Sequence, residues 1–210
     1  ARQAEDFDDA SPLRVGQLPG AFRLDDDSPA KGPQVAVLLP YGEAMARHSA
    51  LTNIRRAEDG VLRDIPLHDE AGGWGLPTLP LQLAATLQGK AASSYPAWIR
   101  VNWREQHRLP YVSAADLLAG KRVCGAPADA PPRLKDAVVL VGYTASGISD
   151  SKPTPVNPAM PGVEVWAEAT DALLHDTAIW LPPTSLKYLL AAFLIALTAY
   201  AFWRGEPHED

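Results

Sequence analysis

One stretch constrains this chain more than any other. Leu186 to Trp203 reads LKYLLAAFLIALTAYAFW and carries a single charge, Lys187. About 18 residues at about 1.5 Å rise span roughly 27 Å, close to the hydrocarbon thickness of a bilayer. A soluble helix of that length normally shows a polar face at every third or fourth position. Here the polar atoms belong to Tyr188, Thr198 and Tyr200. The expectation is a transmembrane helix over 184–203, against the alternative of a buried core or interfacial helix. Trp180, Tyr188, Tyr200 and Trp203 stand near its two ends, where amphipathic rings favour the membrane interface. Lys187 and Arg204 flank opposite sides, so the positive-inside rule does not orient the span.

About 180 residues precede this stretch, enough for one domain with its own core. Apolar residues make up 47% of the chain, an ordinary globular share that argues against wholesale disorder. The 20 prolines imply ordered loops and short elements. A net charge of −6 offers no basic face for nucleic acid. Cys124 is the single cysteine, so no intrachain disulfide forms. The chain opens at Ala1 without a charged-plus-apolar leader. A domain outside the cytoplasm would therefore imply a fragment of a longer protein.

Hydrophobic periodicity predicts an α/β chain: a mixed sheet with helices packed on it, followed by one C-terminal transmembrane helix. Residues 1–33 are acidic and loop-like, with Asp8-Asp9 and Asp25-Asp26-Asp27, but they lack the alternating ligands and closing Glu of a calcium loop. Val35–Leu39 reads as a strand and Tyr41–Ala50 as a helix. Residues 52–56 and 61–67 read as a hairpin turned at Asp59-Gly60. Leu79–Gln88 reads as a helix with Leu79, Leu83 and Leu87 on one stripe, capped by Thr78 and ended by Gly89. Trp98–Trp103 reads as a strand, and Ser113 with Asp116 as a variant capping box. Residues 128–133 form a Pro-rich connection. Ala137–Val141 is a continuous apolar run, the pattern of a buried strand. Val163–His175 reads as a helix whose core anchor is Trp166. The expected divisions are an acidic lead-in over 1–50, the main domain over 51–183, the membrane helix over 184–203 and a tail over 204–210.

The residues with the most chemistry lie in the loop Gly142–Pro161. It leaves the C-terminal end of the expected strand, where open α/β sheets place ligands. It holds Thr144, Ser146, Ser149, Asp150, Ser151, Lys152 and Thr154. It lacks the spacing of a phosphate loop and the frame of a nucleophile elbow. A structural loop over the sheet end and part of a ligand pocket both fit it. Strand alternation places Arg100, Asn102 and Arg104 on one face, either a solvated face or an anion pocket. Asn102, Arg104, Thr144, Ser146, Asp150 and Thr154 are thus the candidate ligand-binding residues. No catalytic residue, cofactor or metal site is expected. The five histidines show no metal-ligand spacing.

Five segments in order carry a resemblance: EDGVLRDIPL (58–67), IRVNWR (99–104), YVSAADLLAG (111–120), LKDAVVLVGYTASGISDSKPTP (134–155) and MPGVEVWAEATDALL (160–174). Together with the apolar helix that follows, they are similar to the second type of CHASE domain, an extracellular sensory module of bacterial receptors. The resemblance covers roughly Ala50 to Trp203, so the domain reads as N-terminally truncated. It implies a non-enzymatic, periplasmic or extracellular domain anchored in the inner membrane of a bacterium. Such a domain senses a ligand or stress and relays a conformational signal to a cyclase or kinase outside this chain. The implied partners are an unknown small ligand, the membrane and a second copy of the chain, with no nucleic acid. Trp166, Glu168 and Ala172 stand where the family helix carries His, Asn and Asn, and NWRE at 102–105 replaces NYRG. The alternatives are a degenerate scaffold that binds nothing and a membrane-anchored periplasmic hydrolase using the 146–150 loop.

Overall fold

The computed structural model describes residues 13–35, 37, 43–54, 57–104, 109, 111–119, 137–144 and 150–205. The chain divides into two compact units, Ala1–Ala178 and Ile179–Asp210. The expected strand at 35–39 and the Pro-rich connection at 128–133 fall partly or wholly outside the described residues, as do Cys124 and Ser146.

The first unit mixes α and β structure, with its strands in four small antiparallel sheets among the described residues. β1 (Leu13–Arg14) pairs with β3 (Gln34–Val35). β6 (Trp74–Pro77) lies between β2 (Phe22–Arg23) and β5 (His68–Ala71). β4 (Asp64–Pro66) pairs with β7 (Trp98–Arg100), setting Ile65 opposite Ile99 and Asp64 opposite Arg100. β8 (Ser151–Lys152) pairs with β9 (Met160–Pro161). The helices are α1 (Glu43–Arg47), α2 (Leu79–Gln88), α3 (Ala114–Leu118), α4 (Gly162–Leu174) and, in the second unit, α5 (Thr184–Gly205).

The main core joins α2 and α4 to the β4–β7 ladder. Leu62, Ile65, Leu67, Leu81, Val165 and Trp166 lie in it with the small residues Ala169 and Ala172. Ile65, Leu67 and Leu81 are fully buried, each contributing about 1.5–3 kcal/mol by leaving water. Val165, Ala169 and Ala172 recur at helical spacing on α4, and small residues there allow its close packing with α2.

Several elements follow from local chemistry. Gly89 ends α2 in the left-handed conformation at φ 63°, and its N–H donates to Ala85 O. Ser113 accepts from Asp116 N–H at 3.4 Å and starts α3. Gly72 and Gly73 hold φ 55° and 79° between β5 and β6, as a two-residue type I′ turn demands. The sequence expectations do not include this hairpin, although Gly-Gly between two short strands is its signal.

Four expectations are corrected. The turn at 57–60 forms, with Gly60 N–H donating to Ala57 O at 2.9 Å. Its strand then pairs with β7 and not with residues 52–54, because Ile65 and Ile99 meet in the core. On α2 the buried residues are Pro80, Leu81 and Ala84, while Leu87 is 52% exposed near the end of the helix. Thr78 stands at the N-cap, but its hydroxyl donates to Pro66 O at 3.1 Å and Leu67 O at 2.9 Å instead of accepting from the helix. Residues 137–141 form no ladder among the described residues, and Val141 is 88% exposed. A continuous apolar run becomes a buried strand only where other elements cover both faces, and the described residues supply no such cover.

Residues 13–35 are more than a solvated lead-in. Val15 is fully buried and joins Trp74 and Leu76 in a second small core. Trp74 Nε1–H donates to Pro29 O at 3.0 Å, and the Arg23 guanidinium lies 5.6 Å over the Trp74 ring.

The second unit contains α5. Thr184–Arg204 is long and apolar enough to cross a membrane by length and composition, and its side chains are exposed all round.

Candidate functional site

Asp150 leads into β8, and its backbone carbonyl accepts from Gly162 N–H at 2.8 Å. That amide opens α4, so Asp150 is fastened to the helix start. A Cβ at position 162 would come 2.6 Å from Asp150 Oδ2, so only glycine allows this approach. The carboxylate also pairs with the half-buried Lys152 ammonium.

Thr154 is buried, 6% exposed. Its hydroxyl donates to Asn157 O and accepts from Asn157 N–H, both at 3.1 Å. Thr154 N–H donates to Asn157 O as well, at 2.8 Å. Leu62 N–H donates to Pro153 O at 2.8 Å and ties this turn to the main core. Thr144 is exposed.

Asn102 and Arg104 follow β7. Asn102 is exposed and Arg104 half-buried. Arg100, their expected neighbour on an anion-binding face, is engaged by Asp64: Nε to Oδ1 at 2.7 Å and Nη2 to Oδ2 at 2.9 Å. The Asp64 carboxylate raises the guanidinium further above its ordinary range. Both partners are about a third exposed, and such a surface pair contributes about 0–1 kcal/mol. Its larger effect is to neutralise the cation that an anion pocket would use. Among the described residues no hydrogen bond or ion pair joins Asn102 or Arg104 to Thr144, Asp150 or Thr154. Asn102 and Arg104 thus stand just after β7, while Asp150 and Thr154 lie on either side of β8. Elsewhere on the surface, Arg63 holds the Asp59 carboxyl below its ordinary range, helped by Val61 N–H. Among the described residues no three His, Cys, Asp or Glu side chains converge as a metal centre.

The structure builds a concave site elsewhere. A cleft of about 580 Å³ opens where α2 and α4 end beside the 3₁₀ turn Ala92–Ser94. Ile99, Ala172, Leu173 and Ala178 give it apolar walls, and Lys90, Tyr95 and Asp176 line it with polar groups. Gln88 holds its sides together. The amide nitrogen donates to Leu173 O at 3.1 Å and Leu174 O at 3.4 Å, and the amide oxygen accepts from Tyr95 O–H at 3.1 Å. Burial raises the Tyr95 phenol above its ordinary pKa. None of these residues stood among the sequence candidates. The available signal was indirect: two helices, each with a readable C-terminal stop at Gly89 and His175, that the fold brings side by side.

The family model described as CHASE2 domain matches residues 11–200. The match begins well before the first of the five resembling segments and reaches into α5. No curated protein and no solved structure matches the chain.

Proposed function

Because this chain belongs to the CHASE2 domain family, an extracellular sensory domain family of signalling receptors, we propose that it is the membrane-anchored sensory part of a bacterial receptor. Residues 13–178 would stand outside the cytoplasm, in the periplasm or beyond it, and α5 would cross the inner membrane. A small ligand or an envelope condition would shift the domain between two conformational populations, and α5 would carry the shift to a cyclase or kinase output. The observation that carries this reading is the continuity of the family match from the folded unit into a helix of membrane-spanning length. The hydrolase alternative finds less support. The Asp150 carboxylate is engaged by Lys152, which makes it a poorer partner for a nucleophile.

Topology tests the proposal. In a Cys124→Ser background, cysteines replace either Leu118, which is 89% exposed, or Arg204. A membrane-impermeant thiol reagent should label the Leu118→Cys protein on intact cells and the Arg204→Cys protein only after rupture. The reverse pattern would sink the proposed orientation.

A further inference from the structure

We propose that the cleft at the C-terminal ends of α2 and α4 binds a small zwitterion with an apolar body, of the amino-acid or short-peptide class. Its occupation would set the conformation of the segment leading to α5. The relay half of this proposal rests on the sensory reading above; the binding half stands on the cleft alone.

The volume, about 580 Å³, falls within the range of small-molecule sites, roughly 300–1,000 Å³. It exceeds the needs of one amino acid and suits a dipeptide. The walls from Ile99, Ala172, Leu173 and Ala178 offer a place for hydrocarbon. Lys90 and Asp176, both exposed residues of opposite charge, line the same cleft. Among the described residues neither takes part in an ion pair. A ligand carrying both charges can answer both groups; a ligand with one charge leaves the other unanswered. Tyr95 gives its proton to Gln88 Oε1, so its oxygen keeps lone pairs for an N–H donor.

The cleft is organised in advance. Gln88 fastens the end of α2 to the last carbonyls of α4, so less ordering remains for the moment of binding. Asp176 holds φ 52°, the sole positive φ outside glycine among the described residues. Standing just after the C-cap His175, it takes the left-handed conformation in which helices commonly end. Thr177 N–H donates to Ala172 O at 3.0 Å and fixes the chain just beyond. Ala178 lines the cleft and closes the first unit, and α5 begins at Thr184. A ligand held at Asp176 and Ala178 would therefore act on the connection that becomes the membrane helix.

The test uses the full chain in detergent micelles with L-leucyl-L-leucine as probe, read by calorimetry and thermal unfolding. The dipeptide should bind and raise Tm. Its N-acetylated and C-amidated forms, each lacking one charge, should bind about tenfold more weakly or worse, the scale of one charge-assisted contact. Lys90→Met and Asp176→Asn should each weaken binding to the same degree and leave the unliganded Tm in place; asparagine tolerates the left-handed conformation. Absence of dipeptide binding would overturn the proposal. So would equal binding of the blocked forms. Binding that survives both substitutions but vanishes in Asp150→Asn would move the site to the 144–155 loop and leave the sensory reading standing. The labelling pattern above decides topology independently of all these outcomes.

Discussion

At the scale of single residues, type and environment part company. Asp150 and Thr154 have the side chains of a binding loop, yet each already has a partner nearby in the chain. Asp150 serves Lys152 and the first turn of α4, and Thr154 closes a turn with Asn157. Thr78 has the identity of an N-cap but uses its proton to tie α2 to the β4–β5 corner. Trp166 fits its expected role. It is 5% exposed in the main core, at a position where the family pattern carries a histidine. Trp166→Ala should lower stability by about 3–5 kcal/mol, as truncation of a large buried aromatic does. The check is the midpoint of chemical denaturation; an unchanged midpoint would remove Trp166 from the core.

At the scale of elements, period alone leaves a helix free to choose among faces. α2 carries Leu79, Leu81, Leu83 and Leu87, and more than one stripe can be drawn through them. The core shared with α4 takes in Leu81, Ala84 is buried as well, and Leu87 is left half in water. Leu81→Ala should therefore cost about 2–5 kcal/mol, while Leu87→Ala should stay within about 0.5 kcal/mol. Denaturant titration of the two variants side by side checks this, and equal losses would restore the stripe through Leu87. The strands show the same freedom. β4 has the pattern of half a hairpin, and it pairs instead with β7, more than 30 residues away in sequence. The short ladders gain their stability from the shared core, since an isolated pair of such strands is marginal in water.

At the scale of the molecule, the two units differ in kind. The first has buried cores of its own, none of whose members comes from residues beyond Ala178. The second is built on an apolar helix that needs a bilayer or another apolar partner around it. A chain ending at Ala178 should leave the membrane fraction and keep a cooperative denaturation transition, while the full chain should stay with membranes through alkaline carbonate washing. Retention of the shortened chain in the washed membranes would mean that the first unit carries its own membrane attachment.

Sequence by itself determined the features that local chemistry governs. These include the bounds of α2 and most of α4, the glycine stop at position 89, the Ser113 cap, the apolar span of α5 and the ordered motifs that point to the family. Each depends on residues within a few positions of one another, where dihedral preference, hydrogen-bonding reach and hydropathy are already set. Only the tertiary structure decided which face of α2 is buried, that β4 pairs with β7, that residues 13–35 build a second core around Trp74, and that Arg100 is neutralised by Asp64. It also placed the ends of α2 and α4 side by side around a cleft. These outcomes depend on contacts between segments far apart in the chain, whose energies exist only once the core has closed and water has left it.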